Sequence, residues 1–390
     1  MNAKKTYRHH VRIPLLFVAA ICLACSLPAP AISGDLGYFG FGASGNNMAV
    51  GAPGRKKARV RVVKNAKEFR AACNERRPLI IELARSLDLS NKPIVNIKSN
   101  KLIRPGKSRN GKYLFVNIKA NLRPRGTDVI IERISVEGPR GGDGITIRGK
   151  EAQRIVIYKC DVYNCADGCI DVTAGASNVT IAYCKFWNTT NLSHRTGFLI
   201  QSDDRDIRVT MHHNWFASGI SRRVPQVEGL GGFARVHLVN NYYGKRRDIR
   251  VKEKGKIVVR GEGTANIILK KKSDVYAEKN AFWDSQLPWL FETLKDDKLD
   301  TSPEARIHFA MKAPYFYVSI GWNKRMLNFQ TKGDNPSKRR PTEWWRFLPE
   351  GGYAKGKFFT YKTRSIDASK VREHVVEHAG TGRPRTRADE

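Results

Sequence analysis

An eight-residue phrase recurs six times in the middle of the chain and limits what the chain can fold into. Its copies read VIIERISV from Val129, IVIYKCDV from Ile155, VTIAYCKF from Val179, VTMHHNWF from Val209, VHLVNNYY from Val236 and VYAEKNAF from Val275. Each copy begins with alternating apolar residues, the pattern of a strand with one buried face. Successive copies start 26, 24, 30, 27 and 39 residues apart, which leaves room for two or three short strands and their turns. This irregular spacing argues against a propeller and predicts a parallel β-helix with loops of different length.

The sixth position of the phrase predicts a buried ladder. It is occupied by Ile134, Cys160, Cys184, Asn214, Asn241 and Asn280. In stacked coils, buried asparagines in such a column can form hydrogen bonds with one another and with the backbone of the turn. We therefore expect Cys160 and Cys184 to be small apolar rungs of this ladder rather than disulfide partners or metal ligands.

The segments on either side of the repeat predict a capped solenoid. The stretch AKEFRAACNERR, residues 66–77, places Phe69, Ala72 and Cys73 at helical spacing, and such a helix would cover the open end of the β-helix. After about residue 283 the repeat is lost, and we expect long segments and a helix in DASKVREHVVEHA to lie against the solenoid. One domain is predicted over residues 32–380, followed by a disordered tail over residues 381–390.

Residues 1–31 have the organisation of a secretory signal. A basic start precedes the apolar stretch IPLLFVAAICLACSL, and the sequence APA suits cleavage after Ala31. A lipoprotein anchored at Cys25 is the alternative, but Cys22 stands where an aliphatic residue is usual. No later segment is long and apolar enough to cross a bilayer. We expect a secreted or periplasmic protein without stable membrane insertion.

The net charge predicts a polyanionic partner. Seventy lysines and arginines against 36 acidic residues give a formal net charge of +34, and the pI is about 10.1. Nucleic acid, anionic lipid and acidic polysaccharide all fit this charge, and plain solubility is the alternative explanation. Five cysteines follow the predicted signal. This odd number leaves at least one unpaired in a monomer, and the absence of a second CxxC argues against zinc.

Three acidic residues fall at coil spacing. Asp143 lies in GGDGITI, and Asp167 and Asp171 lie in ADGCIDV, with Asp143 and Asp167 separated by 24 residues. Stacked coils would bring these carboxylates to one face, where hard oxygen ligands favour Ca²⁺. The alternative is that Asp-Gly pairs are ordinary turn residues.

Arginines follow in the next coils. Arg195 lies 24 residues after Asp171, and Arg222 and Arg223 open the turn after the fourth copy of the phrase. A cationic surface beside an acidic metal pocket suits a carboxylated sugar chain, because guanidinium groups clamp carboxylates bidentately. The alternative is that each arginine is one more solvated charge in a strongly basic chain.

Several of these segments resemble pectate lyases of polysaccharide lyase family 1. The similarity runs through GYFGFGASG, TDVIIERISV, GGDGITIRG, NCADGCIDVTAGASNVTIAYCKF, HHNWFASGISRRVPQVEGLGGFARVHLVNNYY and ASKVREHVVEHAGTG, in the family's order. The resemblance implies an all-β, right-handed, single-stranded parallel β-helix. It also implies cleavage of polygalacturonate by β-elimination, with Ca²⁺ bridging enzyme and substrate.

The resemblance assigns roles to particular residues. Arg223, which precedes Val-Pro, corresponds to the catalytic arginine, and Arg195 to a substrate-binding lysine. Asp143, Asp167 and Asp171 correspond to calcium carboxylates, and Arg222 is expected to contact substrate. Arginine is an unusual base because its free pKa is above about 12, so this role rests on the resemblance alone.

This chain departs from the family pattern in three places. Gly141 replaces the first carboxylate of an Asp-Gly-Asp phrase, and Glu228 replaces the second arginine of the catalytic segment. The phrase VIYKC replaces Trp-Ile-Asp-His, leaving Val156, Tyr158 and Lys159 there. Weaker calcium affinity, a different substrate or lost activity would follow from such changes.

Three functions compete on this evidence. The first is a secreted, monomeric, calcium-dependent lyase that acts on pectate or a related acidic polysaccharide and binds no nucleic acid. The second is a degenerate β-helix protein that binds acidic polysaccharide without cleaving it. A polygalacturonate hydrolase fits poorly, because hydrolysis by inversion needs separated acid and base carboxylates and the chain has no Gly-His-Gly or Arg-Ile-Lys phrase.

Overall fold

The computed structural model describes most of the repeat region and parts of the C-terminal region. The described residues are 39–43, 58–139, 141–188, 196–217, 219–220, 223–244, 249–253, 256–260, 267–269, 273–282, 289–291, 306–309, 361, 363–366 and 370–382. The predicted signal, residues 1–31, lies outside them. No helix among the described residues is long and apolar enough to cross a membrane.

The strands form three parallel β-sheets, each built from strands of successive coils. Sheet 1 contains β1 (Arg59–Val63), β2 (Leu79–Leu83), β5 (Lys101–Pro105), β8 (Val129–Glu132), β11 (Gln153–Tyr158), β14 (Ser177–Ala182), β17 (Ile207–His212), β20 (Ala234–Val239), β25 (Ser273–Glu278) and β28 (Arg306–Phe309). Sheet 2 contains β4 (Ile94–Ile97), β7 (Asn121–Pro124), β10 (Ile145–Arg148), β13 (Gly168–Thr173), β16 (Thr196–Ser202), β19 (Gln226–Gly229), β24 (Ile267–Leu269) and β27 (Trp289–Phe291). Sheet 3 contains β3 (Leu87–Asp88), β6 (Asn117–Lys119), β9 (Ser135–Glu137), β12 (Asp161–Tyr163), β15 (Lys185–Trp187), β18 (Trp215–Phe216), β21 (Tyr242–Tyr243) and β26 (Ala281–Phe282).

Together the sheets form a right-handed β-solenoid, which confirms the predicted fold. Most turns contribute one strand to each sheet, so neighbours in a sheet come from successive coils. One antiparallel hairpin interrupts this order between β21 and β24, formed by β22 (Ile249–Glu253) and β23 (Lys256–Arg260).

The repeated phrase is the corner between sheets 1 and 3. The first residues of its six copies are direct register partners in sheet 1. Its fifth residue has a left-handed backbone in every copy, with φ between 51° and 59°. Residues with a side chain rarely adopt this conformation, so the packing of the neighbouring coils must hold each bend in place.

The predicted ladder is present at this corner. The Cys184 N–H donates to Asn214 Oδ1 at 3.0 Å, and the Asn214 N–H donates to Asn241 Oδ1 at 3.1 Å. The Asn241 N–H donates in turn to Asn280 Oδ1 at 2.9 Å. The side-chain amide nitrogens of these asparagines donate to backbone carbonyls of the sheet 1 strand in the preceding coil. Cys160 and Cys184 are free, buried thiols in the same column, as predicted.

Two helices cover different parts of the solenoid. Helix α1 (Ala66–Asn74) buries Phe69, Ala72 and Cys73 and lies against β1, β2 and β4 of the first coil, which confirms the predicted N-terminal cap. Helix α2 (Val371–His378) buries Val371, His374 and Val375.

Helix α2 covers an aromatic surface on sheet 3. Its apolar side chains pack with Trp187, Trp215 and Tyr242. It therefore lies on the flank of the solenoid and not at its open end. The Thr381 hydroxyl donates to Asp161 of β12, so the chain stays attached to sheet 3 for at least three residues after the end of the helix. Residues 383–390 of the predicted tail lie outside the described residues.

A short N-terminal segment, residues 39–43, crosses the outer face of sheet 1. Its backbone N–H groups donate to side chains of two adjacent coils: Phe39 to His212 Nε2 at 3.1 Å and Phe41 to Thr210 Oγ1 at 3.0 Å on β17, and Gly42 to Thr180 Oγ1 at 2.9 Å on β14. The Phe39 ring stacks on His212 with centroids 3.9 Å apart. The sequence analysis did not foresee this contact, since nothing local relates GFG to residues about 170 positions away.

Replacing the central asparagine of the ladder should destabilise the fold strongly. Asn241→Leu removes the acceptor of two Asn214 N–H groups and both amide donations of Asn241. Buried donors and acceptors would be left unpaired, so we expect a loss of about 3 kcal/mol or more in the free energy of unfolding. Denaturant unfolding measures this loss. Cys160→Ala is the control, with an expected cost of about 1–2 kcal/mol; equal losses in the two variants would contradict the ladder's role.

The docked N-terminal segment should make the fold sensitive to acid. Burial lowers the pKa of His212 well below its ordinary value of 6.5, with a smaller effect from His237. Below about pH 6.5 the unfolded chain therefore binds a proton that the native chain does not, and stability falls as the pH decreases. His212→Gln keeps an acceptor for Phe39 but removes this titration. The stability difference between wild type and variant should shrink by up to about 1.4 kcal/mol per pH unit below that point; parallel stability curves would refute the prediction.

Candidate active site

The predicted site residues gather on the outer face of sheet 2. In β10 and β13 the side chains of Ile145, Ile147, Ile170 and Val172 point into the core and are fully buried. The alternate positions of the same strands face outward. This alternation places Asp171 on the outer surface, directly beside Thr146 in the register. The strand pattern thus decides which side chains can form the site.

Asp143 is fixed immediately before β10. Its Oδ1 accepts a hydrogen bond from the Gly168 N–H at 3.0 Å, and its Oδ2 accepts one from the Thr146 hydroxyl at 2.9 Å. The Thr146 oxygen accepts in turn from Asn121 Nδ2 at 3.0 Å. Three neighbouring coils therefore hold one carboxylate in a defined position.

Asp171 lies one coil further along. Its register partners are Thr146 in β10 and Leu199 in β16, and it accepts a hydrogen bond from the Leu199 N–H at 3.3 Å. Asp167 is exposed in the loop before β13, and its N–H donates to the Gly142 carbonyl at 3.4 Å.

The carboxylates of the site interact through their charges. The pKa of Asp171 is raised to about 8, mainly by burial and in smaller part by the charges of Asp143 and Asp167, against the opposing charge of Arg223. Burial also raises the pKa of Asp143, with a smaller contribution from Asp167. The ionised site is therefore strained by desolvation and by repulsion between like charges, both of which a nearby cation would relieve.

Arg223 enters the site from the turn before β19. Its backbone is left-handed, with φ of 60°, and its carbonyl accepts a hydrogen bond from the Phe198 N–H at 2.6 Å. A Cβ on Gly197 would lie 2.6 Å from this same carbonyl oxygen, so only glycine allows the approach. Strand β16 thus positions Arg223, and its charge acts on Asp171.

Two of the predicted substrate contacts are not described. Arg195 and Arg222 lie outside the described residues. Glu228 does lie on the outer face of β19, where its Oε2 accepts from Gln201 Nε2 at 3.4 Å and from Gln226 Nε2 at 3.3 Å.

The sequence analysis missed four polar residues of this surface: Asn121, Thr146, Gln201 and Gln226. Each occupies an outward position of a sheet 2 strand, and strand alternation combined with the coil register was the signal that could have found them. In contrast, Val156, Tyr158 and Lys159 belong to sheet 1 or to the corner after it. The phrase VIYKC, which departs from the pectate lyase pattern, therefore lies away from the sheet 2 surface that carries Asp143 and Asp171.

The donor set suits a hard cation in its chemistry but is incomplete in its geometry. Asp143 and Asp171 offer desolvated carboxylate oxygens, the ligand type that Ca²⁺ prefers. No group of three or more His, Cys, Asp or Glu side chains among the described residues is arranged to hold a metal ion. At Gly141, no atom of the described residues lies within 4 Å of the position that a Cβ would take, so the side chain missing there leaves open space.

Fold and surface together define a right-handed parallel β-helix protein that carries an acidic patch and an adjoining arginine on one sheet. The family model for a right-handed β-helix region matches residues 90–241. A probable pectate lyase 4 from Arabidopsis thaliana is 30% identical over 223 residues, which cover 54% of this chain and 56% of that protein. A pectate trisaccharide-lyase from Thermotoga maritima is 29% identical over 171 residues, covering 40% of each chain. The chain spans about half the length of the curated relatives it matches.

Solved structures agree on the fold. A Bacillus sp. N165 pectate lyase in complex with trigalacturonate matches with a TM-score of 0.57 at 18% identity, covering 89% of this chain and 99% of that one. The thermostable pectate lyase PL 47 matches with a TM-score of 0.62 at 17% identity, covering 89% and 98%. The chain therefore resembles pectate lyases in sequence and shares their fold, and the resemblance predicted from its sequence is confirmed.

Removing the charge of Asp171 should stabilise the protein at alkaline pH. Because burial and the neighbouring carboxylates raise the pKa of this carboxyl to about 8, the native state keeps a proton that the unfolded state loses above about pH 4, and stability falls until about pH 8. Asp171→Asn lacks this penalty, so above pH 8 and without divalent metal its melting temperature should exceed that of the wild type by about 2–5 °C. Calorimetry measures the difference, with the exposed Asp167→Asn as the matched control. A lower melting temperature for Asp171→Asn at that pH would contradict the interpretation.

Proposed function

We propose that this protein is a secreted polysaccharide lyase that cleaves pectate by Ca²⁺-assisted β-elimination and releases 4,5-unsaturated oligouronides. The observation that carries the proposal is that Arg223 lies close enough for its charge to act on the desolvated carboxylate of Asp171, which interacts in turn with Asp143 on the outer face of sheet 2. Curated relatives named pectate lyases and a structural neighbour holding trigalacturonate support the substrate class.

The residue types match the chemistry of elimination. The C5 proton of a uronate is α to a carboxylate, and its removal places negative charge on that group. When bound, calcium would neutralise the uronate carboxylate and so acidify this proton. Asp143 and Asp171 are the residues of this chain that would hold the ion, with exposed Asp167 at the rim.

Arg223 is proposed as the base. It accepts the C5 proton, the electron pair of that bond forms the C4–C5 double bond, and the bond from C4 to the glycosidic oxygen breaks. The leaving oxygen takes a proton from water. Only the neutral guanidine can accept this proton and become a guanidinium, and surrounding positive charge favours the neutral form. The strongly basic chain and a bound cation would supply that charge.

The remaining assignments follow from the same reaction. Arg195 and Arg222 are proposed to bind uronate carboxylates, because guanidinium groups pair bidentately with them. The strongly positive net charge would draw an acidic polysaccharide to the outer face of sheet 2. Cleavage after Ala31 and action outside the cell as a monomer complete the proposal.

Binding without cleavage is the second candidate function. The observations that favour it are the missing carboxylate at Gly141 and the acidic Glu228, which weaken metal and substrate binding at the same surface. The two candidates differ in one product: only a lyase generates unsaturated oligouronides from polygalacturonate.

The activity can be tested directly on the mature chain. Incubation with polygalacturonate and Ca²⁺ should raise the ultraviolet absorbance of the unsaturated product, and a chelator should abolish this rise. No rise between neutral and alkaline pH, with polysaccharide retained on the protein, would favour the binding function. New reducing ends without unsaturation would indicate hydrolysis.

Arg223→Lys should reduce turnover by about 10³-fold or more, because the ammonium cannot occupy the position of the guanidinium and a general base contributes about 10²–10⁴-fold. The matched control is Arg208→Lys, which makes the same exchange at an exposed position of sheet 1. Turnover of Arg223→Lys at the wild-type rate would refute the assignment of the base.

A further inference from the structure

Arg123 is a cationic side chain on the outer face of sheet 2 that the proposed elimination does not use. It is the half-buried third residue of β7, between two buried positions, so its side chain faces outward. Strand β7 pairs with β10 through Leu122 and Ile145, which places Arg123 beside Thr146. Thr146 stands in turn beside Asp171. Arg123 therefore belongs to the same outward row as Asp171, two strands away.

A chain of hydrogen bonds that begins at Asp143 orients Arg123. An ionised carboxylate only accepts, so the Thr146 hydroxyl donates to Asp143, and the Thr146 oxygen accepts from Asn121 Nδ2. This order turns Asn121 Oδ1 toward Arg123, whose Nε donates to it at 3.1 Å. Asn121 is only 2% exposed, so the surrounding coils hold this acceptor in place. One edge of the Arg123 guanidinium is thus fixed.

The other edge of this guanidinium is open to a ligand. Within the described part of the chain, neither Nη nitrogen of Arg123 donates a hydrogen bond. These two nitrogens form a planar fork, which pairs with a carboxylate through two parallel hydrogen bonds. Because Asn121 already holds the Nε edge, the side chain loses little further freedom when such a pair forms. The open edge therefore suits the carboxylate of a bound molecule.

Arg123 and Arg223 lie at opposite ends of the acidic patch. Arg123 is near enough for its charge to act on Asp143, and Arg223 is near enough for its charge to act on Asp171. Strands β7 and β19 are the second neighbours of β13 on its two sides. Each lies about 10 Å from β13, in opposite directions. A polyuronate that runs from coil to coil across these strands would therefore meet a guanidinium at each end of the patch.

We propose that Arg123, oriented by Asn121, binds a uronate carboxylate of the substrate at the end of the acidic patch opposite Arg223. The inference rests on the proposed function and deepens it, because it assigns a second binding place to the same acidic polysaccharide. A chain that reacts at Arg223 reaches Arg123 only when it is long enough to span the patch. Arg123 takes no part in proton transfer, so its contribution is to binding.

The test compares wild type with Arg123→Gln on galacturonate oligomers of two to eight units. The KM of the wild type should fall at the length that first reaches Arg123. The variant should lack this fall, because it has no charged fork, and its KM on the longer oligomers should be about tenfold higher with kcat little changed. Arg123→Lys keeps the charge without the fork and should give intermediate values. Arg208→Gln, at an exposed position of sheet 1, is the matched control and should keep the wild-type length dependence.

A counter-charge for Asp143 is the other role that these contacts allow. In that role Arg123 would act on the acidic patch itself, so its removal would change turnover by the same factor at every chain length. An equal ratio between variant and wild type across the whole length series, or no difference at any length, would overturn the proposal.

A binding measurement keeps the inference testable if no substrate is cleaved. In calorimetric titration with a galacturonate octamer and Ca²⁺, Arg123→Gln should bind about tenfold more weakly than wild type, and Arg208→Gln should bind like wild type. A counter-charge role predicts equal or tighter binding, because a cation at Asp143 would be repelled less. Weaker binding by Arg123→Gln in an inactive protein would reject the lyase and retain the binding place. Unchanged or tighter binding would reject the binding place whatever the activity.

Discussion

The stacking of identical positions in successive coils is the constraint on which the rest of the structure depends. The first residues of the six repeated phrases are register partners in sheet 1. At the corner that follows, Cys184, Asn214, Asn241 and Asn280 hydrogen bond from coil to coil. A shift of one residue would expose the apolar face of a strand and break this ladder at once. The packing of apolar side chains in the core and the hydrogen bonds of the buried ladder thus specify the same register.

This register also builds the candidate site. Residues far apart in the chain reach the outer face of sheet 2 because each coil adds one strand beside the last. The stacked coils keep Asp143 and Asp171 desolvated and near enough for their charges to interact, although burial raises the pKa of both. Such unfavourable groups persist only where the surrounding fold holds them, and carboxylates with perturbed pKa values are typical of functional sites. Arg223 is held in a similar way, by the close approach of Gly197.

Much of this organisation could be predicted from the sequence because it is periodic. The repeated phrase indicated the β-helix, its sixth column indicated the ladder, and the spacing of Phe69, Ala72 and Cys73 indicated the capping helix. The site was predictable in part, since Asp143 and Asp167 stand at coil spacing. Its polar neighbours Thr146 and Gln201 were not, because single outward residues in a strand carry no distinctive local pattern.

The sequence by itself determined the coil, the register-setting positions and the basic charge, since each depends on residue types repeated at short intervals. Only the tertiary structure decided that residues 39–43 dock on His212 and Thr210, because no local rule links segments so far apart. It alone placed Glu228 between Gln201 and Gln226, since Gln201 comes from the preceding coil and meets Glu228 only when β16 and β19 pair. The physical reason is the same in both cases. The partners of a side chain, and the charges around it, depend on which strands become neighbours, and the winding of the chain determines these neighbours.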